Sequence, residues 1–213
     1  MANNARYVTA GQPKTGGAAW RAPMGSKLPT SATEELDTAF KCLGFISEDG
    51  VTNGNSPATE SVKAWGGDEV LHYQTGKPDT FKFTMIEALN VEVLKAVYGD
   101  ENVAGTLETG IAVKANSKPQ KECCWVFDMI FKGDVAKRLV VPCAPVTAVE
   151  DIVYKGTGAV GYGTTISAQP DGDGNTHYDY TGAADVATAA AAAANEEPAA
   201  NEEPAAGEEE GNA

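Results

Sequence analysis

The sequence has few of the residue types from which reactive sites are built. Its 213 residues include only two histidines, His72 and His177, and neither lies near a serine or cysteine in a recognisable catalytic frame. The cysteines have no C-x-x-C spacing, so they and the histidines make no recognisable zinc set. We expect buried reduced thiols, because free cysteine behaves as a small apolar residue. The cysteines are Cys42, Cys123, Cys124 and Cys143. These shortages argue against an enzyme and against a bound metal.

Long hydrophobic runs are also missing. No apolar stretch approaches the ~20 residues that a membrane-spanning helix needs. The first residues lack the basic start and apolar run of a secretion signal. The sequence therefore predicts a soluble protein, made in the cytoplasm, with no membrane anchor.

Basic side chains are outnumbered, and the excess of acids is concentrated at the C-terminus. The chain has 16 Lys and Arg against 30 Asp and Glu, a formal charge of −14. Eight of the acids lie within residues 183–213, which have no Lys or Arg, so the preceding body carries a formal charge of −6. Tight binding to DNA needs clustered Lys and Arg, and this balance argues against it.

Composition divides the chain into three parts. Residues 1–30 are rich in Gly, Pro and Ala, and we expect an N-terminal arm that orders only against something else. Residues 31–182 have ordinary apolar content and predict one packed domain. Residues 183–213 lack aromatic residues, Leu and Ile and repeat Asn-Glu-Glu-Pro-Ala-Ala twice, so they predict a disordered, low-complexity acidic tail.

The clearest structural signal is a change of hydrophobic period between Asp79 and Gly99. Phe81, Phe83 and Met85 alternate with polar residues, which predicts a strand. After them, apolar residues recur at helical spacing until Gly99 provides a stop. They are Ile86, Leu89, Val93, Leu94, Val97 and Tyr98. The pattern predicts a strand that leads directly into an amphipathic helix.

Most other segments predict strands. A capping box at Ser31-Ala-Thr-Glu34 predicts a helix that buries Leu36, Ala39, Phe40 and Leu43, and residues 47–58 predict a polar loop. Strands are expected at 59–65, 69–75, 111–115, 122–132, 137–141, 146–154, 160–168 and 176–180. In strand 122–132 we expect one apolar face and one mixed, exposed face. The expected fold class is mainly β, an antiparallel sandwich or barrel with one flanking α-helix.

Two motifs resemble ligand sites. Residues 156–161 match G-x-G-x-x-G, but the alternating residues after them predict a strand where dinucleotide binding needs a helix. Asp171-Gly-Asp-Gly-Asn175 mimics half of a calcium loop, but Thr176 stands where Gly is required. We expect turns at both places and no cofactor.

Five ordered segments resemble the major tail protein, or tail tube protein, of bacteriophages with long, non-contractile tails (siphovirus type). The likeness is closest to versions from phages of actinobacteria and covers about residues 30–180. The segments are Leu43–Val51, Val62–Asp68, Phe81–Gly99, Trp125–Ile130 and Lys137–Pro142.

The resemblance implies a β-sandwich protein that forms hexameric rings. The rings stack into a hollow tail tube of the virion, around a tape-measure protein and between tail terminator and distal tail proteins. Double-stranded DNA then passes through without sticking. As a hypothesis, carboxylates of the acidic body line the channel and repel DNA. The acidic tail is expected to point outward.

Subunit contacts are expected in the polar segment before the predicted hairpin and at its turn. We assign contacts between rings to residues 46–58 and the N-terminal arm, since polar, glycine-rich segments can order on binding. The residues singled out are Ile46, Ser47, Glu48, Asp49, Val51, Thr52 and Trp65. An immunoglobulin-like binding or surface-display module is the alternative function.

Overall fold

The computed structural model describes residues 3–183 and shows a mainly β protein with antiparallel strand pairing. Its single α-helix, α1, spans Val91–Tyr98, and two 3-10 turns span Ala5–Tyr7 and Asp100–Asn102. The strands are β1 (Gln12–Pro13), β2 (Ala19–Pro23), β3 (Lys41–Cys42), β4 (Ile46–Gly54), β5 (Ala58–Lys63), β6 (Glu69–Gly76), β7 (Thr80–Met85), β8 (Val103–Ala104), β9 (Ala112–Val113), β10 (Cys123–Phe131), β11 (Val135–Ala144), β12 (Val146–Val149), β13 (Tyr162–Ser167) and β14 (Tyr178–Ala183).

Two sheets form a sandwich. The large sheet has the order β14-β11-β10-β2-β3, and β1 also pairs with β10. The small sheet has the order β12-β13-β7-β4. Within residues 3–183, β5 and β6 form a separate two-stranded sheet, and β8 and β9 form another. The expected antiparallel sandwich with a flanking helix is confirmed.

The main core lies between the two sheets and beneath the helix. Phe81 and Phe83 of β7 meet Phe127 of β10, with ring centroids 5.9 and 5.0 Å apart. Helix α1 adds Val93 and Val97 to the same cluster. Burying a side chain of this size stabilises a fold by about 1.5–3 kcal/mol, so strand and helix hold each other in place.

The helix begins later than its apolar spacing predicts. Asn90 caps it, because its side chain accepts a hydrogen bond from the Glu92 N–H at 3.0 Å. Residues 86–89 form a turn instead, in which the Glu87 carboxylate accepts hydrogen bonds from Phe45 N and Asn90 Nδ2. Leu89 is exposed, so its assignment to the helical face was wrong. Gly99 ends the helix as predicted.

The helix predicted over residues 31–43 is absent. One capping contact does form, since Glu34 N donates to Ser31 Oγ, while Glu34 Oε2 accepts from Thr30 N, one residue before the predicted cap. However, the carbonyls of Ser31 and Glu34 accept hydrogen bonds from the Arg138 guanidinium. Carbonyls that would bond within a helix are therefore bonded to a strand of the large sheet.

The predicted loop at residues 47–58 is largely a strand. Strand β4 pairs with β7, where Val51 lies opposite Phe83 and Thr52 opposite Lys82. An irregularity between Ile46 and Val51 breaks the register. Strand β4 pairs along one edge only, and edge strands often carry polar side chains. Its polar, glycine-rich sequence therefore resembles that of a loop.

The large sheet is covered on both faces. The face of β10 that we expected to be mixed and exposed instead buries Cys124, Val126 and Asp128. Residues 28–40, which we call the cover segment, place Leu36 and Phe40 on that face. The prediction was wrong because it treated the outer face of β10 as solvent-facing.

Part of the expected N-terminal arm belongs to the body. Strand β2 lies between β10 and β3 and buries Ala19, Arg21 and Ala22. The expectation that all of residues 1–30 order only against something else is therefore wrong for β2, while the domain boundaries stay a prediction. The predicted acidic tail from residue 184 onward lies outside the described residues.

Candidate assembly surfaces

A cleft with a volume of about 390 Å³ lies beside the end of α1. Four of its charged groups form two ion pairs, since Arg21 contacts Asp100 and Lys121 contacts Glu101. Burial raises the pKa of the Cys123 thiol at its wall, which keeps the thiol protonated and unreactive. The cleft brings together no nucleophile and base.

Within residues 3–183, no cluster of three His, Cys, Asp or Glu side chains could hold a metal ion. The G-x-G-x-x-G segment leads into strand β13, as its alternation predicts. Residues 171–175 form a turn in which Asp171 Oδ1 accepts hydrogen bonds from the N–H groups of Asp173 and Asn175. None of the helices described is long and apolar enough to cross a bilayer.

A hairpin formed by β5 and β6 stands out from the sandwich. Every residue of β5 is exposed, and so is every residue of β6 except Gly76. Its turn contains Gly66 and Gly67, both with positive φ, as the predicted tight turn requires. We call residues 58–76 the exposed hairpin.

One face of the exposed hairpin carries an apolar patch, bordered by Glu60, whose carboxylate accepts a hydrogen bond from the Tyr73 hydroxyl at 3.0 Å. Val62 lies directly opposite Leu71, and Tyr73 follows two residues later on the same face. Trp65 is fully exposed just before the turn. A contiguous apolar surface of this kind on a polar protein marks a place where another protein binds.

The two sheets of the sandwich end in four strands. The small sheet ends in β4 and β12, and the large sheet ends in β14 and β3. An edge strand presents unpaired N–H and C=O groups that can pair with another chain. The small sheet therefore offers a free strand on each side.

The outer face of the small sheet is polar. Thr52, Lys82 and Thr165 lie in one row across it, because they are register partners on β4, β7 and β13. Thr80, Thr84 and Ser167 lie on the same face of their strands. Within the described chain, no apolar cluster covers this face, in contrast to the large sheet.

Comparison with protein-family models matches residues 1–194 to the family described as "Phage tail tube protein". The chain belongs to the phage tail tube protein family. No curated protein matches the chain. The role of a tail tube protein is structural, as a part of the virion tail, which agrees with a chain whose surfaces are built for pairing and apolar contact.

In this tail tube protein, the residues singled out from sequence occupy two places. Ile46 to Thr52 lie on edge strand β4, and Trp65 lies at the turn of the exposed hairpin. Sequence analysis missed Val62, Leu71 and Tyr73 as surface residues. The period-two alternation around the Gly-Gly turn placed them on strands, but only the fold shows that nothing in the described chain packs on them.

Proposed function

We propose that this chain is the tube subunit of a long, non-contractile phage tail. Copies assemble into rings, hexameric as the resemblance implies, and the rings stack into a tube that conducts DNA into the host. The observation that carries the proposal is the exposed hairpin, because its apolar face is left open in the chain described. A second copy would cover that face.

The exposed hairpin supports a contact between subunits of neighbouring rings. Trp65, at its turn, offers the largest apolar surface, and aromatic side chains dominate the energetics of interfaces. We assign Trp65, Val62, Leu71 and Tyr73 to the contact with a subunit of the neighbouring ring.

The small sheet supports contact within a ring. Because β4 and β12 lie at opposite edges, β12 of one copy can pair with β4 of the next, and repetition around the axis closes the sheet. We therefore assign residues 46–52 to contacts within a ring, where the sequence suggested contacts between rings.

The channel wall is assigned to the outer face of the small sheet. The cover segment occupies the corresponding face of the large sheet, which leaves the small sheet as the surface that DNA can pass. Its four strands carry one cation, Lys82, and two acids, Glu48 and Asp49. Hydroxyl side chains and a slight excess of negative charge would let DNA slide, within the ~8–10 Å over which charge acts at physiological salt.

The remaining partners follow from the same arrangement. The tape-measure protein would occupy the channel before DNA, and tail terminator and distal tail proteins would bind the two ends of the tube.

Negative-stain electron microscopy of the purified protein tests this proposal. We expect rings or hollow tubes at high protein concentration. Discrete monomeric particles at every concentration and salt would contradict it and would favour a binding module of the immunoglobulin-like kind.

A further inference from the structure

An ion pair lies across the outer face of the small sheet. Lys82 Nζ on β7 is 2.6 Å from Oε1 of Glu150, the residue that follows β12. Strand β13 lies between β7 and β12, so the Glu150 side chain crosses a whole strand to reach Lys82.

The crossing depends on a glycine. Gly163 of β13 is buried beneath the Glu150 side chain, and the Glu150 N–H donates to the Gly163 carbonyl at 2.7 Å. A Cβ atom at Gly163 would lie 2.3 Å from Glu150 Oε2 and 3.0 Å from Glu150 Cβ. Any side chain there would displace Glu150 from its path.

Lys82 is the only basic residue in the four strands of the small sheet. Its side chain points away from the core, because its neighbours Phe81 and Phe83 are buried between the sheets. The hydrogen bond and the charge of Glu150 raise the pKa of Lys82 against a smaller opposing effect of burial, and Asp49 adds to the rise. The one cation of these four strands is thus paired with a carboxylate.

We propose that Glu150, laid across Gly163, masks the charge of Lys82 so that the channel wall presents no free cation to DNA. The inference rests on the proposed function, which places this face in the channel. Without the mask, every subunit would add one lysine to a closed circle, and such circles would repeat along the tube. Phosphate backbones bind arrays of this kind through release of counterions.

Four variants distinguish the loss of the Lys82–Glu150 ion pair from a general change of net charge. Glu150→Gln frees Lys82, and Gly163→Ala displaces Glu150 without changing the number of charges. The double variant Glu150→Gln with Lys82→Gln removes both partners. Glu101→Gln is the control, because Glu101 pairs with Lys121 in another exposed ion pair, which lies at the cleft beside α1.

The first measurement uses unassembled protein and asks whether the pair exists. Competitive acylation followed by mass spectrometry gives the reactivity of Lys82. We expect Glu150→Gln and Gly163→Ala to raise it, since loss of the carboxylate beside Lys82 lowers the pKa of its amine and increases the unprotonated fraction. Unchanged Lys82 reactivity in both variants would overturn the mask whether or not tubes form.

The second measurement uses assembled tubes, sheared to short lengths, and short fluorescent double-stranded DNA in a sedimentation assay. We expect Glu150→Gln and Gly163→Ala tubes to retain DNA at low salt, while wild-type, Glu101→Gln and double-variant tubes do not. If about two freed lysines reach phosphates together, retention falls roughly tenfold between 50 and 200 mM salt. Equal retention by Glu150→Gln and Glu101→Gln tubes, or none by Glu150→Gln tubes, would overturn the proposal. Retention by Glu150→Gln but not by Gly163→Ala would overturn the role of Gly163. A wild-type protein that never forms tubes would instead contradict the proposed function.

Discussion

The guanidinium of Arg138 forms a bidentate ion pair with the carboxylate of Asp128 inside the protein. Nε lies 2.6 Å from Oδ1 and Nη2 lies 2.9 Å from Oδ2, and both side chains are almost fully buried. The residues are register partners on β10 and β11. Because Nη1 also donates to the carbonyls of Ser31 and Glu34, this pair fixes the cover segment to the large sheet.

Replacing Arg138 with Met should destabilise the protein by about 3–5 kcal/mol, because the buried carboxylate of Asp128 would lose its bidentate partner and keep the weaker contact with Lys14 Nζ at 4.0 Å. Two carbonyls would lose their donor as well. Urea denaturation followed by circular dichroism measures the change in the free energy of unfolding.

The double variant Arg138→Met with Asp128→Leu serves as the control. Removing both charges together should recover much of the loss, since two apolar side chains can replace a buried pair at little cost. A single Arg138→Met variant as stable as the wild type would contradict the role assigned to the pair.

Glu34 should make the stability of the protein fall as the solution is acidified. A hydrogen bond from the backbone N–H of Thr30, together with those from Lys27 and the Thr30 hydroxyl, lowers the pKa of Glu34 to about 2. Because the folded-state pKa lies below the unfolded value, the contribution is complete above pH ~4.5 and is lost as the pH falls towards ~2. Glu34→Gln should therefore be less stable than the wild type near neutral pH. The difference in stability between the two proteins should shrink as the pH falls towards ~2.

Thermal unfolding at a series of pH values checks this. Glu35→Gln is the matched control, because Glu35 is exposed beside the same turn. If the unfolding temperatures of wild type and Glu34→Gln change in parallel across the acid range, Glu34 does not make the proposed contribution to stability.

Local sequence signals predicted the parts of the fold whose contacts are local. The alternation at 81–85 and the Gly-Gly turn at 66–67 depend on neighbouring residues, and both elements are present. The helix predicted over residues 31–43 is absent for a different reason. Whether those carbonyls bond within a helix is decided by Arg138, about a hundred residues further along the chain.

The candidate surfaces were predictable only in part. Trp65 was among the residues singled out from the sequence, and it lies at the turn of the exposed hairpin. Sequence alone could not show which sheet keeps an open outer face, because that depends on the cover segment folding over β10. The Lys82–Glu150 pair was missed for the same reason, since its partners are joined only through the register of three strands.

Asp79 should stabilise the junction between the two sheets. Its buried carboxylate accepts hydrogen bonds from Asn53 Nδ2 at 2.7 Å and Thr176 Oγ1 at 2.6 Å, and His177 Nδ1 lies 2.6 Å away. Burial raises the pKa of Asp79, but these hydrogen bonds outweigh it and hold the pKa below its ordinary value.

Asp79→Asn should lower the free energy of unfolding by about 1–3 kcal/mol, because bonds to a charged acceptor are exchanged for weaker ones. Chemical denaturation at neutral pH provides the measurement. Asp173→Asn, at an exposed turn, should change stability by less than about 0.5 kcal/mol. Equal effects of the two substitutions would show that the Asp79 contacts contribute little.

Trp65→Ala should abolish or strongly weaken tube formation while leaving the fold intact. The fully exposed side chain makes no contribution to the core. Truncating an aromatic residue at the centre of an interface weakens the free energy of binding between two subunits by about 2 kcal/mol or more. Sedimentation reports assembly, and circular dichroism reports folding. Leu107→Ala, at another exposed apolar residue, is the control and should assemble normally.

Shortening the exposed hairpin provides a stronger version of this test. Replacing residues 60–74 with a short glycine linker should give a folded subunit that makes no tubes. Deleting residues 48–56 would not serve, because it removes most of β4 from the small sheet. Normal tubes from the shortened chain would rule out the hairpin as the contact between rings.

A cryo-electron microscopy reconstruction of assembled tubes, at a resolution that separates strands, tests the central claim most directly. We predict a hollow tube whose channel is lined by the outer face of the small sheet, with Lys82 and Thr165 on the wall and the cover segment remote from it. A tube whose channel is lined by residues 28–40, or a protein that forms no tube, would contradict the account.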